Sequence, residues 1–140
     1  MEEVRGFFGQ YRFLSNFYPS PFELDGKKYE TVEHFFQAKK ATNDEDHEYV
    51  RSASTPGIAK HRGRRLPRHP EWDFIKLKVM LEGLVAKFEQ NPDLGEKLAR
   101  TSPRNLVEDN SWGDKFWGVC SGEGCNNLGK LLMFVRETFI

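Results

Sequence analysis

The strongest constraint on this chain is one long helical repeat of apolar side chains. Trp72, Ile75, Val79, the Met80 and Leu81 pair, Leu84, Val85 and Phe88 recur at helical spacing, which predicts a helix from Pro70, at its first position, to about Gln90. A stripe of that length must be covered by the rest of the chain. With 140 residues and 38% hydrophobic content, the sequence has enough material to close a single core.

The other elements are read from local signals. Asp25-Gly26 between Phe22-Glu23-Leu24 and Lys27-Lys28-Tyr29 predicts a hairpin. Thr31 caps a helix expected over Val32 to Thr42, and the acids Asp44, Glu45, Asp46 and Glu48 open a second helix reaching about Ser54. Thr55-Pro56 starts a third that ends near Gly63, leaving Arg64 to Pro70 as a basic loop. Asn91-Pro92 begins a helix to about Thr101, and Asn105 to Glu108 reads as a strand. Asn110 to Gly124 reads as an irregular loop before a final amphipathic helix over Asn127 to Thr138. The expected fold class is α+β: a predominantly helical single domain, residues 1–140, with a small β-hairpin or sheet near the N-terminus.

Charge narrows the functional classes. Twenty-one basic residues balance 21 acidic ones, which argues against a protein that coats nucleic acid or membrane by bulk electrostatics. The longest apolar stretches are broken by charges and fall short of the roughly 20 residues a membrane span requires. Met1-Glu2-Glu3-Val4-Arg5 lacks the basic and apolar regions of an export signal, and two cysteines, Cys120 and Cys125, fit a reducing compartment. A cytoplasmic location is expected, or a nuclear one in a eukaryote.

Three segments carry possible chemistry. Glu33, Gln37 and Lys40 fall at i, i+4 and i+7, so carboxylate, amide and amine share one helix face. That stripe is either a solvated face or a site in which Glu33 transfers protons and a desolvated Lys40 acts as nucleophile or charge stabiliser. Lys60 to His69 carries basic side chains and no acid, suited either to phosphate or to solvent. Trp112, Phe116 and Trp117 surround Asp114 in a glycine-flanked loop: the aromatics either pack in the core or stack on a planar base, and Asp114 is a candidate second carboxylate.

Two other chemistries lack support. Gly124 to Lys130 follows most of a phosphate-loop pattern, but Leu131 replaces the hydroxyl residue that would hold magnesium, leaving only the amides opening the last helix as a candidate phosphate cradle. Cys120, Cys125 and the four scattered histidines lack metal-site spacing. Neither a metal nor a redox cofactor is required.

Taken together, Phe13-Leu14-Ser15-Asn16-Phe17-Tyr18-Pro19, Thr31 to Lys40, Ala86-Lys87-Phe88, Trp112-Gly113-Asp114 and Asn127 to Met133 resemble the NADAR (YbiA-like) family, in order and over nearly the whole chain. The resemblance implies a small, mostly helical N-glycosidase that hydrolyses a bond between ribose C1 and an exocyclic nitrogen. It implies Glu33 as catalytic carboxylate, with Lys40 and Asp114 as further catalytic residues. Asn16, Phe17, Gln37, Arg62, Gly63, Trp72, Trp112, Trp117 and Asn127 are the expected substrate contacts. Two substrate classes go with the family: ADP-ribosylated guanine, free or in nucleic acid, and phosphoribosylamino-pyrimidine intermediates of riboflavin synthesis. The aromatic stretch Lys115 to Ser121 departs from the riboflavin-type pattern and favours the ADP-ribosyl substrate. A non-catalytic ADP-ribose or nucleotide reader, or a purely structural interaction domain, would use the same aromatics without turnover.

Overall fold

The computed structural model describes residues 2–140. In chain order the elements are β1 (Val4–Arg5), a 3-10 turn (Gly9–Leu14), β2 (Phe22–Leu24), β3 (Lys27–Tyr29), α1 (Val32–Ala38), α2 (Asp44–Arg51), α3 (Pro56–Arg65) and α4 (Trp72–Gln90). They continue with α5 (Pro92–Arg100), β4 (Leu106–Val107), β5 (Asp109–Asn110), β6 (Val119–Cys120), α6 (Asn127–Arg136) and a closing 3-10 turn (Glu137–Phe139). The fold is α+β and predominantly helical, as expected. Two compact units divide the chain: residues 16–91, and the residues before 16 together with 92–140.

In the 16–91 unit, α1 is the central element, packed against α2, α3 and α4. Thr31 caps it by accepting the His34 N–H. All seven of its residues are buried, so its polar side chains are enclosed along with its apolar ones. Phe35 meets Phe22 and Tyr29 edge-on at 5.8 and 5.0 Å between ring centroids, a burial that contributes about 2–3 kcal/mol. α4 passes close because Gly83 faces this ring: a Cβ there would lie 2.9 Å from Phe35 Cδ2. β2 and β3 form the antiparallel hairpin, with Asp25 and Gly26 both at positive φ, as a two-residue turn of this twist requires.

In the other unit, β1 pairs parallel with β4 and β5 parallel with β6. α6 runs against β4 so closely that a Cβ at Gly129 would collide with the Leu106 carbonyl oxygen. Arg136, buried at the end of α6, donates from Nη1 to Thr101 Oγ1 and to the Arg104 carbonyl, tying the helix to the turn after α5.

The structure corrects several sequence-based boundaries. α1 stops at Ala38 instead of Thr42, because the Lys40 carbonyl accepts His69 N–H at 2.6 Å and Ala41 bridges to Arg68. α2 ends at Arg51, short of Ser54. α3 continues through Gly63 to Arg65, so Arg64 and Arg65 are helical and the basic loop is shorter than expected. Pro70 is not the first residue of α4; a turn closed by Trp72 N–H on the His69 carbonyl precedes the helix, which begins at Trp72. The stretch from 110 to 124 contains β6, and its partner β5 ends in it. The last α-helix ends at Arg136, with the 3-10 turn beyond it. Among the described residues no helix is long and apolar enough to cross a membrane.

Candidate active site

The polar stripe on α1 is not a solvated face. Glu33 is 7% exposed and Gln37 3%, and Gln37 Nε2 donates to Glu33 Oε2 at 2.7 Å. The Glu33 N–H donates to the Asn16 carbonyl at 3.1 Å, tying the segment before β2 to the first turn of α1. Burial pushes the Glu33 carboxyl above its ordinary range; the Gln37 hydrogen bond and the charges of Lys60, Lys40 and Arg64 oppose the rise.

Lys40 lies just beyond the end of α1, half-buried. Its Nζ is 5.6 Å from the centroid of Phe36 and 5.9 Å from that of Trp72, two rings that meet edge to face at 5.0 Å. Burial lowers the Lys40 ammonium from its ordinary value; Glu33 opposes this, and Arg64, Arg68 and Lys60 add to it. Lys40, Lys60 and Arg64 thus bear on one enclosed carboxyl, while Arg68, which acts on Lys40, pairs with Asp73 at 3.5 Å. Trp72 is buried as an aromatic wall for the lysine.

His34 holds this helix in place. Its Nε2 lies 2.9 Å from the Ala53 carbonyl, which can only accept, so Nε2 carries the hydrogen and Nδ1 faces the Thr31 hydroxyl at 2.8 Å.

The other expected contacts are distributed unevenly. Asn16 is buried, its Nδ2 3.5 Å from Met80 Sδ and its Oδ1 without a partner, while Phe17 is exposed with Lys60 Nζ 6.0 Å from its ring. Gly63 faces Gln37. Arg62 is engaged elsewhere: it donates to the Tyr49 carbonyl at 2.8 Å and lies 4.4 Å over the Tyr49 ring. Sequence reasoning placed Lys60 and Arg64 in the basic stretch suited to phosphate but named only Arg62 from it as a basic substrate contact; the i, i+4 spacing of Lys60 and Arg64 on α3 was the signal that sets them apart.

Asp114, Trp112, Trp117 and Asn127 belong to the other compact unit. Asp114 Oδ1 accepts the N–H groups of Phe116 and Trp117 at 3.1 and 2.9 Å, folding its own turn. Trp112 is 65% exposed, while Trp117 is half-buried and edge-on to Phe116. The amides expected to be open at the start of α6 are occupied: Asn127 N–H donates to the Phe116 carbonyl and Leu128 N–H to that of Trp117. Those two amides are therefore not an open phosphate cradle. Among the described residues no three His, Cys, Asp or Glu side chains converge as a metal site.

The model of the NADAR domain matches residues 6–140. The chain belongs to the NADAR family. NADAR relatives include the Escherichia coli (strain K12) N-glycosidase YbiA, 41% identical over 127 residues that cover 89% of this chain and 79% of that protein. The riboflavin biosynthesis protein VVA0006 of Vibrio vulnificus is 36% identical over 129 residues, covering 89% of this chain and 35% of that longer protein. The NMR structure of the E. coli protein YbiA superposes with a TM-score of 0.87 at 37% identity, covering 99% of this chain and 86% of that one.

Proposed function

We propose that this NADAR chain is an N-glycosidase that hydrolyses the bond between ribose C1 and an exocyclic nitrogen. The observation that carries this reading is Glu33: an enclosed carboxyl, hydrogen-bonded to Gln37 and acted on by Lys60, Lys40 and Arg64, with its proton affinity raised by burial above the ordinary carboxylate range. Cleavage leaves positive charge on the sugar and sends the bonding electron pair to the departing nitrogen, which needs a proton. Glu33 supplies that proton, stabilises the charged sugar as a carboxylate, and recovers a proton from the attacking water.

Lys40 has two available roles. As a nucleophile, its lowered proton affinity leaves amine free to attack C1 of the ring-opened sugar. The nitrogen leaves with its electron pair and the Glu33 proton, and water hydrolyses the resulting Schiff base. As a cation it holds a hydroxyl or phosphate. Borohydride trapping with substrate separates the two: absence of a lysine adduct by mass spectrometry removes the covalent route.

ADP-ribosylated guanine is the substrate we favour. Lys60 and Arg64, the α3 cations that bear on Glu33, supply charge for a diphosphate. The second reading, a phosphoribosylamino-pyrimidine, is supported by the riboflavin biosynthesis name of the Vibrio relative. Incubation with each substrate, following release of the sugar phosphate, decides between them. Binding of ADP-ribosylated guanosine without release would instead make the protein a reader, and Glu33→Gln with full turnover would remove the carboxylate mechanism.

A further inference from the structure

Gln37 contacts Glu33, and Gly63 contacts Gln37. Gln37 is 3% exposed, and its Nε2 is committed to Glu33 Oε2 at 2.7 Å. Its Oε1 is buried without a partner and lies against Gly63: any Cβ at that position would collide with Oε1 and stand only 3.0 Å from Gln37 Cβ. Gly63 is inside α3, where glycine costs about 1 kcal/mol relative to alanine, and its φ is not in the left-handed region. Room for the Gln37 amide is therefore the reason the structure gives for glycine here.

We propose that Gly63 and Gln37 are positioning residues that act through Glu33: the glycine leaves space for the amide, and the amide fixes Oε2 so that Oε1 is the oxygen that works on substrate. This rests on the reading of Glu33 as the proton-transfer group. It takes Gln37 and Gly63 out of the set of substrate contacts.

The amide stabilises the ionised form of Glu33, so its loss raises the carboxyl further. The other charges acting on Glu33 are Lys40 after α1 and Lys60 and Arg64 on α3. Titratable groups on the remaining neighbours of α1 have other contacts: His47 of α2 bonds Tyr29 of β3, Glu48 of α2 pairs with Arg51, and Lys87 of α4 lies by the Tyr18 and Phe88 rings.

The test uses Gln37→Met, which keeps the volume, Gln37→Ala, Gly63→Ala and the Gly63→Ala/Gln37→Ala double variant, each checked for folding by thermal melting. Gln37→Met should lower kcat about tenfold to a hundredfold with KM within about twofold, and move the Glu33 limb of the pH profile up by about one unit. Gly63→Ala should act in the same direction. The double variant should be no worse than Gln37→Ala, because the added methyl then has no amide to displace.

A raised KM with unchanged kcat would overturn the proposal, as would additive losses in the double variant. Carbon-13 NMR titration of the Glu33 carboxyl in the free protein separates this inference from the proposed activity. A titration that stays put in Gln37→Met overturns the positioning role even where activity needs Glu33. A titration that moves while Glu33→Gln retains full turnover leaves the amide's hold on Oε2 in place but overturns the proposed mechanism and, with it, the working role of Oε1.

Discussion

The polar residues of α1 are buried and those of the turn between β4 and α6 are buried or half-buried, yet they are satisfied very differently. In the turn, Asn110 Oδ1 accepts Asp114 N–H, Asp114 Oδ1 accepts two further amides, and Asn126 bridges Glu108 N–H and the Leu106 carbonyl at 3.0 and 2.9 Å. Each side chain completes the backbone's own hydrogen bonding, as a scaffold requires. On α1, Gln37 Oε1 is unpaired and a carboxyl is held where its charge is disfavoured. Such an arrangement lowers stability and is kept when chemistry needs it. The difference separates residues that build the fold from residues for which the fold is built.

Replacing Glu33 is the sharpest way to break this contrast. Glu33→Gln should cost on the order of 10²–10⁴-fold in turnover while making the protein more heat-stable at neutral pH. The sign follows from linkage: a carboxyl whose folded value lies above its ordinary 4.5 contributes its stability in full below 4.5 and loses it as pH rises through the folded value. The variant should therefore melt roughly 2–6 °C higher at pH 8 and show little difference at pH 4. A lower melting temperature at pH 8 would mean that Glu33 belongs with the scaffold.

Lys87 extends the comparison within the same unit. It is fully buried in α4, and burial lowers its ammonium to about 7. Between about 7 and the ordinary 10.5 the unfolded chain binds the extra proton, so stability rises with pH across that window and is lost as pH falls through it. The gain is on the order of a few kcal/mol. Lys87→Met should flatten that slope, measured by urea unfolding at pH 7, 8 and 9.

Asn126 tests the scaffold side. It stands at φ 51° and loses two side-chain hydrogen bonds on truncation. Asn126→Ala should destabilise by about 2–3 kcal/mol, and Asn126→Gly, which relieves only the backbone, by less. Equal losses in both variants would deny the side-chain bridge its role.

Much of this contrast was legible before any coordinates, though not its depth. Thr31, Thr55 and Asp25-Gly26 announce their own elements because caps and tight turns are local chemistry. The i, i+4 spacing of Glu33 and Gln37 puts them together, but spacing cannot say whether a helix face meets water or α3 and α4. The early stop of α1 depends on Lys40 and Ala41 pairing with residues 69 and 68, far along the chain. Arg62 had the right charge and position, and only the fold reveals that Tyr49 holds it. Asp114 looked catalytic by residue type, yet one of its oxygens is engaged by the amides of its own turn.

The smallest effect concerns the cations that make the α1 site unlike the turn. Lys60 and Arg64 share a face of α3 and both bear on Glu33 and Lys40. Reversing either charge, Lys60→Glu or Arg64→Glu, should raise KM for a phosphorylated substrate about tenfold and lower kcat less, because the charge is bound alike in ground and transition states. Arg62→Glu removes the Tyr49 contact and should act on stability more than on KM. If Arg62→Glu raises KM as much as Arg64→Glu does, the phosphate is held by the α3 surface as a whole, and the division of labour between Arg62 and its neighbours fails.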